Sequence, residues 1–231
     1  MIKIHPNMKE YYEGTVFGIL AMKITGEQRE EAFQKKIEEE LQSIRKAHSE
    51  YERKAFCETN EVVKPYVQYY KKFKKTYHVL PQLESILRGK DFPHTTPLIQ
   101  ALFLAELKTS LLIAGHDLKK CPLPLTIQMC QGGETFFGSG NRRVELKPND
   151  ICLKDEKDFH LSIIYGQDER SRITPKTGEV LFLIDGVPGL RETYVEEGLQ
   201  TLYNYVKVFA PDSILLEMRT FSVSPKAGEK P

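Results

Sequence analysis

The chain has no tryptophan, only four cysteines and almost no net charge, and each shortage narrows what it can be. Cys57, Cys121, Cys130 and Cys152 never fall at C-x-x-C spacing and no clustered histidines accompany them. That argues against a structural zinc site and for reduced, mostly buried thiols. The 33 Lys and Arg against 32 Asp and Glu leave a formal charge of +1. A chain so balanced lacks long-range attraction for polyanions, so any contact with nucleic acid has to be local. Apolar runs are short: the longest, at residues 110–114 and 180–184, fall far below the roughly 20 residues of a membrane span. No basic segment followed by an apolar stretch opens the sequence, which makes a cytoplasmic protein the expectation. The G-x-S-x-G, H-E-x-x-H and Walker patterns are missing too. Gly132, Gly133, Gly138 and Gly140 are spaced too irregularly for a phosphate loop and read as hairpin turns. The commonest hydrolase, zinc-protease and NTPase readings therefore fall away, and no metal, nucleotide or other cofactor is expected.

What remains is an ordinary globular composition, with 40% hydrophobic and 28% charged residues in 231, enough to bury a sizeable core in one domain. Residues 15–20 read as a buried strand. Thr25-Gly26-Glu27-Gln28 has the form of a capping box. Phe33, Ile37, Leu41, Ile44, His48 and Tyr51 then recur at steps of three or four, the mark of one long amphipathic helix. Residues 65–77 predict a second helix opened by Pro65, and residues 80–87 a third ending at Gly89. Thr96-Pro97 starts a largely buried helix over 98–113 with few charges. Past Gly115 the texture changes to short alternating runs at 125–129, 135–137, 150–153 and 161–165, within a β region of about six strands. A strand at 179–184, a helix marked by Val195, Leu199, Leu202, Val206 and Phe209, and a strand at 213–221 close the chain before a polar, frayed tail. The expected fold class is α+β, a mixed β-sheet flanked by helices. Residues 1–59, an added N-terminal strand and long helix, pack on the same domain as 60–222, and 223–231 form the tail.

Three constellations could carry chemistry. The dense polar segment from Gln167 through Asp168, Glu169, Arg170, Ser171 and Arg172 to Thr177 sits between apolar strands; it is either a solvated turn of locally paired charges or a site-bearing loop. Gly115-His116-Asp117 is either a helix-terminating turn or a histidine oriented by a carboxylate. Lys71, Lys72, Lys74 and Lys75, interleaved with Tyr66, Tyr69, Tyr70, Phe73 and Tyr77, form either a solubilising stripe behind core aromatics or a basic and aromatic face for RNA.

Taken in order, Leu87-Arg88-Gly89-Lys90 through Thr96-Pro97-Leu98-Ile99, His116-Asp117-Leu118, Asp168 through Thr177, and Val180-Leu181-Phe182-Leu183 resemble a freestanding B3/B4 domain. In the beta subunit of bacterial phenylalanyl-tRNA synthetase that module forms the editing site. The resemblance covers roughly residues 60–210. It implies a B3/B4-like α+β fold and hydrolysis of a mischarged aminoacyl ester on a tRNA 3′ end, an aminoacyl-tRNA deacylase acting in trans and not a ligase. The alternative is a non-catalytic module that binds RNA or an amino-acid-like ligand. The module's substrate-side threonine and asparagine fall on Leu102 and Phe103, its histidine on Ala114, and its tyrosine-reading glutamate on Leu183, with Asp185 as a substitute two residues on. The pocket has thus lost the groups that read tyrosine, which implies a larger, more apolar or differently polar ligand. The resemblance assigns catalytic or orienting roles to His116, Glu169 and Arg170. Thr96, Asp117, Asp168 and Arg172 join the substrate-binding set, and the four lysines contact RNA. The implied partner is tRNA or aminoacyl-tRNA, without a membrane, DNA or an obligatory protein partner.

Overall fold

The structure is a computed structural model that describes residues 2–223. In chain order the elements are β1 (Ile2–Ile4), α1 (Lys9–Tyr12), β2 (Val16–Lys23), α2 (Glu30–Ala47), α3 (Arg53–Thr59), α4 (Val63–Lys72), α5 (Val79–Leu87), α6 (Pro97–Thr109), β3 (Ile113–Asp117), β4 (Leu125–Met129), β5 (Thr135–Gly138), β6 (Arg142–Glu145), β7 (Ile151–Lys154), β8 (Phe159–Ser162), β9 (Gly166–Gln167), β10 (Glu179–Ile184), α7 (Glu192–Phe209) and β11 (Ile214–Ser222). The fold is α+β. One sheet is mixed, in the order β1-β4-β7-β8-β9 with only the β1–β4 pair parallel; a second is antiparallel, β11-β2-β10-β3; β5 and β6 form a separate hairpin.

The antiparallel sheet is the centre of the core. β2 and β10 are apolar on both faces, as strands covered on two sides must be, and every residue from Val16 to Met22 and from Val180 to Ile184 is buried. α7 lies close against β2: a Cβ on Gly18 would stand 2.6 Å from Val195 and 3.1 Å from Leu199. α2 presents Phe33, Ile37, Leu41 and Ile44, its one apolar face, to α6 and α7. Because β2 runs between β10 and β11, the segment before residue 60 is woven into the sheet and does not merely rest on it.

Several local expectations need correction. The capping box does not form; Thr25 Oγ1 donates to the Asp212 carbonyl instead, and α2 starts at Glu30 after Arg29 with no side-chain cap. α4 begins two residues before Pro65 and stops at Lys72, where buried Phe73 and left-handed Lys74 (φ 57°) turn the chain. α6 ends at Thr109 because Ser110 takes the left-handed conformation (φ 59°), so Ile113 and Gly115-His116-Asp117 lie on β3 and not at a helix end. The tail expected from 223 onward lies outside the described residues except for Val223, which is buried and exchanges backbone hydrogen bonds with Thr15 and Gly14.

With the first long strand pinned between the last two, chain ends and centre depend on one another for burial. A fragment of residues 60–231 should therefore fail to fold, and the whole chain should unfold in one transition. Far-ultraviolet circular dichroism of both over a urea series checks this, and a folded fragment would contradict it.

Candidate functional site

A cavity of about 320 Å³ opens where α6, β3, the β8–β9 segment and the residue after β10 meet. Its walls are apolar, from Ile99, Leu102 and Phe103 on α6, Ile113 and Ala114 on β3, and Leu161, Ile163 and Ile173 across from them. The wall at Gly115 leaves no room for a side chain: a Cβ there would stand 2.7 Å from Ile173 and 2.9 Å from Leu102. Arg172 stands at the rim, its side chain 58% exposed and its Nε 2.9 Å from Glu169 Oε1.

The deep end is polar. Glu106 and Asp185, 1% and 2% exposed, both line it. Glu106 Oε1 accepts the Ile113 N–H at 3.0 Å, whereas Glu106 Oε2 and Asp185 Oδ1 find no hydrogen-bond partner among the described residues. Burial pushes the Glu106 carboxyl up to about 8 against the opposing Ile113 N–H. Burial, followed by repulsion from Glu106 and Asp150, holds Asp185 well above the usual carboxylate range. His78, ahead of α5, also reaches the cavity, with its pKa lowered by burial.

Of the substrate-binding residues expected from the resemblance, Leu102, Phe103, Ala114, Arg172 and Asp185 converge on this one cavity from four separate segments. Thr96 caps α6 and lines a neighbouring cleft that shares Ile99, Arg172 and Ile173 with it. Leu183 instead sits inside β10, paired between Ile19 and Ala114. Asp117 and Asp168 are buried on internal duties: Asp117 Oδ2 accepts from Thr177 Oγ1 at 3.0 Å, and Asp168 accepts from Ser171.

None of His116, Glu169 and Arg170 lines the cavity. His116 is fully buried, and its Nδ1 lies 2.7 Å from Ser171 Oγ. Ser171 bonds Asp168, and Asp168 Oδ2 lies 3.7 Å from Nδ1 of a second buried histidine, His160, whose Nε2 meets Asp155 Oδ2 at 2.9 Å. Burial keeps His116 neutral, its pKa well below that of a free imidazole. For His160 burial opposes the charge, but Asp168, Cys121 and Asp155 outweigh it and push the pKa up to about 10. Arg170 completes this network from outside, with Nη1 2.5 Å from Asp158 and Nη2 3.6 Å from Asp155. Glu169 faces the β5–β6 hairpin, where its Oε2 accepts the Gly140 N–H at 2.9 Å. His116, on β3, and Glu169, on the loop after β9, thus do not converge on the cavity, because His116 is held inward by Ser171 and Glu169 is held at the β5–β6 hairpin by the Gly140 N–H.

The basic segment divides in the same way. Tyr66, Tyr69, Tyr70, Phe73 and Tyr77 are buried, while Lys71, Lys72 and Lys74 point outward. Lys75 is half-buried, its Nζ 4.2 Å from the centre of the Tyr165 ring. Lys72 and Lys74 border a separate cleft with Lys147 and the exposed Tyr11. Sequence reasoning missed Glu106, His78, His160 and Asp155. For Glu106 a signal existed, since it is the single charge in the apolar run from Leu98 to Leu107.

No protein-family model matches the chain, and no curated protein matches it. Among solved structures, an N-terminal fragment of the phenylalanyl-tRNA synthetase beta subunit from Pyrococcus horikoshii aligns with a TM-score of 0.45 at 10% identity, over 95% of this chain and 50% of that one. The chain therefore spans half the length of that fragment. So distant a likeness leaves any functional reading to rest on the site itself.

Replacing His160 with glutamine removes the buried charge partner of Asp155 and Asp168, leaving them only the half-exposed Arg170, and should cost about 3 kcal/mol at pH 6. The stability difference between wild type and His160→Gln, from urea titrations at several pH values, should be full below the free imidazole pKa of about 6.5 and vanish as pH rises through about 10, since the folded-state pKa is the raised one. A difference that does not change with pH would show His160 to be neutral.

Proposed function

We propose that the cavity receives the aminoacyl part of an aminoacyl ester, and that the chain is a trans-acting aminoacyl-tRNA editing protein that hydrolyses that ester. The observation that carries this reading is the convergence of Leu102, Phe103, Ala114, Arg172 and Asp185, distant in sequence, on one cavity of amino-acid size.

The chemistry demanded is modest. An aminoacyl ester is already activated, and the neighbouring ribose hydroxyl can assist the attack of water, so correct placement supplies most of the acceleration. Apolar walls seat the aliphatic part of the aminoacyl group, and Arg172 at the rim offers a cation to the developing oxyanion or to the terminal phosphate. Lys71, Lys72 and Lys74, exposed beside the Lys147 cleft, supply a local patch for the RNA backbone.

One observation favours the second reading, a binding module without catalysis: His116 and Glu169 are both committed to contacts within the protein, so neither stands free beside the cavity as a base. The two readings part in one experiment. A panel of mischarged aminoacyl-tRNAs, followed for ester loss against a no-protein control, should show at least one substrate, and Arg172→Ala should slow its hydrolysis about 10- to 1000-fold. Binding without ester loss across the panel would select the binding module.

The patch has its own test. Changing Lys71, Lys72, Lys74 and Lys75 together to glutamine should weaken tRNA binding and flatten its dependence on salt, measured by filter binding between low and moderate ionic strength. An unchanged slope would move the RNA face elsewhere.

A further inference from the structure

The deep end of the cavity holds more acid than a purely apolar ligand could use. Two carboxyl groups, from α6 and from the residue after β10, are each almost wholly buried and each keep an oxygen without a hydrogen-bond partner among the described residues. Burying one such group unpaired is costly, and burying two near each other adds repulsion. Elsewhere the buried carboxylates are paired: Asp150 with Tyr69 and Ser162, Asp155 with His160, Asp168 with Ser171. The groups that repay such a cost best are cations that donate several hydrogen bonds.

Taking the cavity as the ligand site, as the reading above does, we infer that it selects a ligand whose alkyl stem ends in a primary ammonium, held between Glu106 and Asp185. The wall chemistry sets the shape of the rest. Leu102, Phe103, Ile113 and Ile163 line the space between floor and rim, suited to methylene groups. Arg172, exposed at the rim, meets the opposite, anionic or ester end of the ligand. Ammonium inside, alkyl stem between and carboxyl derivative outside describes a basic aliphatic amino acid of the lysine and ornithine type. A hydrated metal ion suits the apolar walls poorly, and no group of three or more histidine, cysteine or acidic residues able to hold one occurs among the described residues.

The charge at the floor changes on binding. Burial holds Glu106 and Asp185 toward their protonated forms, so an incoming ammonium should expel protons. The other titratable or charged groups near the floor are His78 ahead of α5, Arg172 at the rim, and Tyr66, Tyr70 and Tyr77 on or just after α4, with Asp150 beyond them. The tyrosine pKa values are all raised well above the usual value, and His78 is lowered, so these groups keep their neutral forms near pH 7.

The test compares lysine methyl ester with norleucine methyl ester, which share an α-amino group and a four-carbon stem and differ in the terminal ammonium. Isothermal titration of the full chain near pH 7 should show lysine methyl ester binding at least tenfold more tightly, with proton release seen as a heat that varies with the buffer. Glu106→Gln keeps the acceptor for the Ile113 N–H, and together with Asp185→Asn it should remove the preference and the proton release while the protein stays folded. Equal or tighter binding of norleucine methyl ester, or a double variant that keeps the preference, would overturn the inference. Its failure is separable from that of the editing reading. If lysine methyl ester binds as described but no aminoacyl-tRNA loses its ester, the ligand class stands and hydrolysis falls. If an aminoacyl-tRNA with an uncharged side chain is hydrolysed equally well by wild type and the double variant, hydrolysis stands and the ligand class falls.

Discussion

Four buried tyrosine hydroxyls hold together the parts of the chain that enclose the cavity. Tyr66 donates to the Asp185 carbonyl at 2.7 Å, Tyr70 to the Ile163 carbonyl at 2.6 Å, Tyr77 to the Ser110 carbonyl at 2.7 Å, and Tyr69 to Asp150 Oδ1 at 2.7 Å. The rings pack on one another, Tyr66 against Tyr77 at 4.8 Å between centres. Three of the hydroxyls satisfy a backbone carbonyl where a strand or helix has just ended, places where buried backbone groups would otherwise lack partners, and the fourth, Tyr69, holds a buried carboxylate just before β7. Two of the four acceptors belong to residues that line the cavity, Ile163 and Asp185, and a third, Ser110, stands two residues before Leu112, which lines it too. A single aromatic helix and its following turn therefore fix the cavity floor, and the floor's acidity can be tolerated because its backbone is already held.

The loop from Asp168 to Arg172 obeys a related constraint with the opposite result. Read as sequence it is a run of charges between strands, and its charges do pair locally, as Arg172 does with Glu169. Yet Asp168 and Ser171 are buried, because β3 and β8 bring His116 and His160 beneath them. An imidazolium with two carboxylates inside a core can be tolerated only if every lone pair finds a donor. Ser171, the His160 ring and Arg170 come close to providing that. The loop is consequently a tether between the two sheets, and it carries Arg172 to the rim as the last residue of the tether that still reaches solvent.

Much of this was legible beforehand, and the failures share a cause. The strand at 179–184 follows from an unbroken apolar run too short for a helix, and the helices at 30–47 and 192–209 follow from hydrophobic period, since burying one face suffices to fix them. The tyrosines of α4 were readable as core for the same reason. The misread places were those where the partner of a polar group lies far along the chain: Thr25 taken up by Asp212, His116 by Ser171, and the Ser110 carbonyl, where α6 ends three residues before β3, by Tyr77. Leu102, Phe103, Ala114 and Asp185 came from resemblance and not from pattern. Glu106 was visible as an isolated charge in an apolar helix, but only the three-dimensional neighbourhood distinguishes a charge that snorkels outward from one that points in.

That distinction also separates structure from site in this molecule. Buried polar groups serve either purpose, and burial alone says nothing about which. Asp150, Asp155 and Asp168 have their oxygens occupied by tyrosine, serine, histidine or backbone donors, and removing a donor from any of them would expose a cost the fold cannot recover. Glu40 meets Lys36 and Lys108 at 2.9 Å each. Glu106 and Asp185 depart from this economy together and in one cavity, while the backbone around them is fully pinned by Tyr66 and by the Asp185 N–H to the Leu112 carbonyl. A core that satisfies its acids so consistently elsewhere among the described residues, and leaves two facing the same space, is the contrast that supports the proposed ammonium ligand.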